Sequence, residues 1–286
     1  MSRFEFIKKW SLEYPVIQLC SFCGVERSSY YEWLNRKEPK ADLELETEIR
    51  SIFSRSRETY GAIRVTRALK SKGRFVNKKR VARLMAKNGL KSVHKRKFKA
   101  CTTDSKHSSP VADNILSQDF RASGANQKWA SDITYIKTDE GFLYLAVVID
   151  LFSRRVIGWS TGKSLETDLC LGALKMALAR RAKPKELIHH SDRGSQYCSL
   201  AYLDLLKKYG IQASMSRKGN CYDNAVVESF FHTLKVECVY QTKFGSRSQA
   251  RREIADYIEN FYNCWRQHST LDYMNPCEFE NFRLAA

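Results

Sequence analysis

The sequence predicts an α/β core, a mixed five-stranded sheet flanked by helices, preceded by small all-α modules and followed by a helical C-terminal extension. Two patterns predict it. From residue 128 three β-branched or aromatic runs follow one another, and helix and strand signals then alternate. Before that point apolar residues recur at helical spacing, punctuated by Gly24, Gly61, Gly73 and Gly89.

The elements follow in order. Pro15–Cys23 is apolar and stops at Gly24, and Arg27–Arg36 offers Tyr30, Tyr31, Trp33 and Leu34 for packing. Helix, glycine turn and helix make the helix-turn-helix outline of a module over 1–38. A second module, 41–90, reads as three helices. The first carries Leu43, Leu45, Ile49, Ile52 and Phe53 and breaks near Tyr60-Gly61; the second runs from about Ala62 to Lys72; the third starts at an Asn77 cap and ends at Gly89. In the third, Val81, Leu84 and Met85 form the apolar stripe. Lys78, Lys79, Arg80 and Arg83 crowd the remainder, a composition suited to a DNA groove and equally that of a solvated basic face.

Residues 91–127 read as a basic and polar linker, with Lys95, Arg96 and Lys97 in its basic run and Ser108-Ser109-Pro110 breaking any periodicity. The predicted core, 128–242, has strands at Trp129–Ile136, Phe142–Ile149, Arg155–Thr161, Glu186–His190 and Ile211–Met215. Its helices are Leu165–Arg181, Leu200–Lys208 and Asp223–Val239, with Asp223 as the N-cap of the last. Residues 243–286 form the helical extension.

Lysine and arginine total 49 against 31 aspartates and glutamates in 286 residues, a net charge of +18. Residues 1–100 hold 25 basic and 10 acidic side chains, so the surplus sits in the first third. That segregation points to a polyanion-binding portion beside a differently employed domain. Nine cysteines, an odd number with no export signal, argue against a disulfide framework. Cys20 and Cys23 have the spacing of half a zinc site and nothing completes it, so no zinc is expected. The longest apolar stretch, Phe142–Ile149, is short of the roughly 20 residues a membrane helix needs. A cytoplasmic protein is expected.

Three acidic residues occupy places where a carboxylate is costly. Asp132 lies in a strand-like run, Asp192 directly follows one, and Glu228 sits on a helix with Val227, Phe230, Phe231 and Leu234. Singly, each has an ordinary reading as a turn cap, a helix cap or a surface residue. Together they fit a divalent cation site, since convergent carboxylates repel unless a metal neutralises them. Thirty-five residues separate Asp192 from Glu228, room for the helix and strand that would join them. Asn224 and Lys235 share the helical face of Glu228, one turn before and two turns after it. His189 and His190 beside Asp192 invite a role as ligands or bases, though a histidine at a strand end is more often a hydrogen-bonded packing residue.

The segments WASDITY (129–135), HSDRGSQY (190–197) and SMSRKGNCYDNAVVESFF (214–231) closely resemble the integrase-like core of bacterial insertion-sequence transposases, second-reading-frame products related to retroviral integrases. TYG (59–61), RVARLM (80–85) and Gly89-Leu90 resemble the accessory helical domain of that family. Tyr262, Asn263, Arg266, His268, Leu271, Pro276 and Phe279 resemble its C-terminal signature, although Cys264-Trp265-Arg266-Gln267 stands where the family has a more basic run.

The resemblance implies an RNase H-like fold and a DDE triad of Asp132, Asp192 and Glu228. It implies magnesium, with manganese able to substitute, and cleavage and strand transfer at insertion-sequence ends by a two-ion mechanism with Asp132 bridging the ions. Lys235 becomes a contact to terminal DNA, and Asn224, Arg217 and Lys218 around the same helix start, with Lys78, Lys79, Arg80, Arg83, Lys95, Arg96 and Lys97, are expected as further DNA-binding residues. The implied partners are terminal-repeat and target DNA, further copies of the chain, and the first-reading-frame product, to which family members are often fused. Its place would be a bacterial cytoplasm, on the nucleoid when DNA-bound. Two other functions use the same residues differently: a nuclease that does not transpose, and a DNA-binding regulator with an inert core.

Overall fold

A computed structural model describes residues 2–35, 40–93, 111–181, 186–217 and 221–284, which divide into two compact units, 1–51 and 52–286. The first unit contains α1 (Arg3–Trp10), α2 (Val16–Cys23), α3 (Arg27–Asn35) and most of α4 (Lys40–Arg55). The sequence expectation named two helices before residue 38, and α1 is an additional one. Its signal is a capping box: Ser2 Oγ accepts from the Glu5 N–H at 3.2 Å and the Glu5 carboxylate accepts from the Ser2 N–H at 2.6 Å. Helix α2 ends at Gly24, whose φ of 62° costs a glycine little. Ile7, Leu19, Cys20 and Tyr30 form the core of these helices, with Phe4 stacked on Trp33 at 5.5 Å. Each large apolar side chain so buried contributes about 1.5–3 kcal/mol.

The second unit opens with the end of α4. That helix stops at Arg55, ahead of the expected break at Tyr60-Gly61, because Arg57 and Glu58 take φ of 54° and 59°, which a right-handed helix cannot carry. Helices α5 (Ala62–Ser71) and α6 (Lys78–Lys87) follow, and Asn77 caps α6 by accepting the Lys79 N–H at 2.8 Å. Val81, Leu84 and Met85 are buried, while Lys78, Lys79, Arg80 and Arg83 are exposed.

The sheet comprises β1 (Lys128–Thr138), β2 (Gly141–Asp150), β3 (Val156–Gly162), β4 (Ile188–Ser191) and β5 (Gln212–Met215) in the order β3-β2-β1-β4-β5. The first three strands are antiparallel neighbours; β4 runs parallel to β1, and β5 parallel to β4. Helices α7 (Thr167–Arg181) and α8 (Leu200–Lys208) cover one face, and α9 (Ala225–Glu237) and α10 (Arg247–Asp256) the other. Alternation along β2 decides which residue faces which layer. Leu143, Leu145, Val147 and Ile149 pack with α9 and α10, whereas Ala146 and Val148 pack with α7 and α8. Helix α7 lies directly on Gly158 of β3, where a Cβ would stand 2.2 Å from the Ala173 carbonyl oxygen.

Two flanking segments are built into this core. The later half of the 91–127 stretch docks on the sheet edge: the Ile115 and Leu116 N–H groups donate to Ser214 Oγ at 3.0 and 3.1 Å, and Leu116 is buried. After α10 the chain makes a π-helical turn, Tyr257–Tyr262, that buries Tyr257, Ile258, Phe261 and Tyr262. Asn263 follows and completes the edge of β3, accepting from the Val156 N–H at 3.0 Å and donating to its carbonyl at 2.9 Å. Helix α11 (Pro276–Leu284) closes the chain, its Glu280 buried between Ser153, Arg155 and Arg181.

Candidate active site

Asp132 is the fifth residue of β1 and pairs with Val147, so it points to the face covered by α9. The β1–β4 register pairs Ala130 with His190, and Asp132 and Asp192 each follow two residues later, Asp192 just past the end of β4. Glu228 stands in the first turn of α9, which anchors itself through Val227, Phe230, Phe231 and Leu234 and leaves the glutamate exposed. Lys235 sits two turns later with its Nζ 5.2 Å from the Tyr135 ring centre.

Asp132 feels the charges of both other carboxylates. Burial raises the Asp132 carboxyl well above the usual carboxylate range, and the charges of Asp192 and then Glu228 push it further; the Ile133 N–H, donating at 2.7 Å, and Lys235 oppose the rise. Glu228 is raised as well, by partial burial. Lys235 is lowered by burial, with Asp132 pulling the other way. Asp192 is aimed by the Gly194 N–H, which donates to its Oδ1 at 2.9 Å; a side chain at 194 would crowd that oxygen at 3.0 Å. Among the described residues no three His, Cys, Asp or Glu side chains are gathered tightly enough to grip a single ion.

The start of α9 is held differently from the sequence expectation. Asn224, not Asp223, is the N-cap, and it makes no side-chain cap bond. It is buried, and its Nδ2 donates to the Ser131 carbonyl at 3.0 Å, beside Asp132, while its Oδ1 has no partner among the described residues. Asp223 belongs to the preceding 3-10 turn and is fully buried. Its carboxylate accepts from Asn114 Nδ2, Gln118 Nε2 and both the backbone and side chain of Arg217. Burial works against its charge, but Arg217 and Gln118 win and hold it down at about 2. The Arg217 guanidinium is thereby committed to Asp223. Lys218, Lys95, Arg96 and Lys97 lie outside the described residues.

The two histidines are tied into the scaffold. His189 Nε2 lies 3.1 Å from Ser131 Oγ and 2.8 Å from the Tyr202 hydroxyl; burial and the neighbouring His190 push it down to about 3. His190 bridges Ser214 and Ser216 at 2.9 and 3.1 Å and is pushed down to about 4 by burial, against the pull of Asp223. Both are neutral at pH 7.

Sequence reasoning missed a buried ion pair at the far end of α9. Arg266 Nε and Nη2 donate to the two Glu237 oxygens at 2.7 Å each, and the Tyr257 hydroxyl donates to Glu237 at 2.8 Å. Arg64 of α5 approaches the same carboxylate at 3.7 Å. The signal was available: Phe230, Leu234 and Glu237 follow helical spacing, so Glu237 interrupts an apolar stripe.

Comparison with known proteins agrees with this architecture. Residues 122–221 match the family described as Integrase core domain, residues 228–284 a second family of the same description, and residues 40–98 an HTH-like domain. The chain is 46% identical over 288 residues to Transposase InsF for insertion sequence IS3A of Escherichia coli (strain K12), covering 99% of this chain and 100% of that protein. It is 43% identical over 264 residues to an uncharacterized 31 kDa protein of insertion element IS600 from Shigella sonnei, covering 91% and 97%. Among solved structures, a simian T-cell lymphotropic virus intasome in complex with PP2A regulatory subunit B56 gamma aligns with TM-score 0.48 and 16% identity, over 75% of this chain and 70% of that one. The HTLV-2 integrase catalytic core domain in complex with magnesium (trimeric form) aligns with TM-score 0.42 and 17% identity, over 56% and 99%.

Proposed function

Since the chain belongs to the IS3 family of insertion-sequence transposases, and so to the polynucleotidyl transferases with an integrase core, we propose that Asp132, Asp192 and Glu228 are its catalytic carboxylates. In this reading they hold two magnesium ions while the protein cleaves a phosphodiester at the element's end and joins the freed 3′-hydroxyl to a target strand. The observation that carries it is the convergence on Asp132: two other carboxylates, one beyond β4 and one on α9, raise its affinity for a proton.

The donors suit the metal in kind, although among the described residues they are not gathered tightly enough to grip one ion. All three are hard carboxylate oxygens, the ligand type magnesium prefers, and the Asn224 Oδ1 beside them is buried without a partner. When bound, the metal supplies Lewis acidity and charge neutralisation at the scissile phosphate. The protein's own share is positional. The β1–β4 pairing ends two residues before Asp132 and Asp192, Asn224 ties the start of α9 to β1, and Gly194 donates to Asp192. Lys235 adds a positive charge beside Asp132, where it would meet a DNA phosphate. Neither His189 nor His190 has a role as a proton carrier, since both are hydrogen-bonded inside the fold and titrate far below neutrality.

DNA is the partner this reading requires. The exposed Lys78, Lys79, Arg80 and Arg83 of α6 lie in the HTH-like region, and the surplus of basic residues falls in the same third of the chain. Labour divides as DNA binding over 1–38 and 41–90, connection over 91–127, catalysis over 128–242 and support over 243–286. Joining two ends calls for more than one copy of the chain, with the first-frame product as a further partner.

The test is cleavage and joining of a duplex carrying the element's end, with magnesium or manganese, by wild type and Glu228→Gln. Both activities should vanish in the variant with DNA binding intact. Retention of cleavage by Glu228→Gln sinks the assignment, and nicks without joined products in wild type would make the protein a nuclease.

A further inference from the structure

Beside the β2–β3 turn lies a cleft of about 670 Å³ that the proposed chemistry does not use. Arg121, Arg154 and Arg283 line it, together with one carboxylate, Asp119. Lys128 already neutralises Asp119 at 2.8 Å, so the three guanidiniums leave the cleft strongly positive. Arg121 and Arg283 are exposed at the rim. Arg154 is half-buried, its backbone sits in the left-handed region with φ of 62°, and its guanidinium has no ion pair among the described residues. A desolvated charge on strained backbone is costly, and such costs gather where a ligand repays them. Burial lowers the Arg154 pKa, with only the Tyr262 hydroxyl opposing, in keeping with a missing anion.

We propose that this cleft is a phosphate site whose occupant is the backbone of the DNA on which the transposase acts. It rests on the reading of DNA as substrate given above. Guanidiniums in this number match phosphate oxygens by charge and by forked geometry. The volume lies within the roughly 300–1,000 Å³ of sites for organic ligands, more than a lone phosphate needs.

Position favours the backbone over a free nucleotide. Gln118 forms part of the cleft wall, and its Nε2 holds Asp223 at 2.8 Å, one residue before the Asn224 that braces Asp132. Leu151, also in the wall, donates its N–H to the Lys128 carbonyl at 2.9 Å. Lys128 precedes Asp132 by four residues, roughly 13 Å along a strand. Along a duplex axis that is about four base-pair steps at 3.4 Å each. A duplex seated at the carboxylates is long enough to extend to the cleft.

The experiment measures duplex affinity across a salt series for the full-length wild type, Arg154→Gln, Arg154→Lys and Arg283→Gln, with melting curves to check folding. Losing one phosphate contact lowers the slope of log affinity against log salt by about one. That drop is expected in Arg154→Gln and Arg283→Gln, with most of it restored in Arg154→Lys. Should Arg154→Gln misfold, the exposed Arg283→Gln still decides the matter. Unchanged slopes in both glutamine variants overturn the proposal. If in addition inorganic phosphate raises the melting temperature of wild type but not of Arg283→Gln, the cleft serves free phosphate and the DNA assignment is overturned. The salt slope is independent of catalysis, so inactivity of wild type, or activity of Glu228→Gln, would count against the carboxylates and leave this site standing.

Discussion

Asn224 Nδ2 donates to the Ser131 carbonyl oxygen at 3.0 Å, so the residue preceding α9 is fastened to the residue preceding Asp132. One hydrogen bond thus joins the helix that carries Glu228 to the strand that carries Asp132, and it lies in the interior, where neither partner is replaced by water at low cost.

Replacing Asn224 by Ala should therefore reduce the rate of cleavage by more than it reduces DNA affinity. The lost bond costs about 1–3 kcal/mol because the Ser131 carbonyl is left unpaired. Single-turnover rates and duplex binding, measured side by side, check this. Equal losses in both would mean that Asn224 acts on DNA directly.

Asp132 should respond to its neighbours. In Glu228→Gln one of the charges that raise Asp132 is gone, so its carboxyl should titrate at lower pH, visible by carbon-13 NMR of the aspartate side chains. Magnesium should raise the melting temperature of wild type, because an ion that binds the folded state alone stabilises it by about 2.7 kcal/mol at a hundredfold excess over Kd. No such rise is expected in Asp132→Asn.

The Glu237–Arg266 pair should be costly to break from one side only. Arg266→Met strands a buried carboxylate and should cost about 3–5 kcal/mol in urea denaturation. Adding Glu237→Gln to that variant should recover part of the loss. A double variant no more stable than Arg266→Met would mean that Glu237 is not the source of the penalty.

His189 and His190 should each withdraw stability as the pH falls, while Asp150, raised to about 6 by burial, contributes in the opposite sense. Their folded pKa values, about 3 for His189 and about 4 for His190, lie below the ordinary 6.5. The unfolded chain then binds more protons across that interval, so their contribution is present above pH 6.5 and is lost as pH falls toward 4 and then 3, at roughly 1.4 kcal/mol per unit for each. Melting temperatures from pH 7 to 4 check this by difference: His190→Gln should lose less, or gain more, than wild type over that range. The rate profile should have no step near 6.5, because neither histidine changes charge there.

Asp223 adds a second acid-sensitive element further down. Its folded value of about 2 is below the usual 3.8, so its stabilising share is complete above 3.8 and lost as pH falls through about 2. At neutral pH, Asp223→Asn should cost about 2–3 kcal/mol, the scale of hydrogen bonds to a charged group, since Arg217 and Gln118 lose their anion. An unchanged melting temperature together with lost cleavage would move Asp223 into the chemistry.

The sheet was legible because its strands differ so clearly from their surroundings. Phe142–Ile149 is nearly continuous apolar sequence, and the structure extends it by only one residue at each end, to Gly141–Asp150. Ends set by backbone conformation were harder to read. Helix α4 stops at Arg55 because two non-glycine residues take positive φ, which side-chain pattern does not announce. Helix α1 was overlooked although its Ser2–Glu5 capping box is plain, since a short helix offers too few turns for periodicity to show.

By itself the sequence determined the family, the helices before the core and the five strands, and it marked three carboxylates as candidates, because charge, period and motif are local quantities. Only the tertiary structure decided how they meet. Folding brings the charge of Asp192 to bear on Asp132, Asn224 replaces Asp223 at the head of α9, and Glu237 finds Arg266 across 29 positions of chain. Such contacts join residues that local pattern treats as independent, and their energies depend on burial and distance, which exist only once the chain has folded.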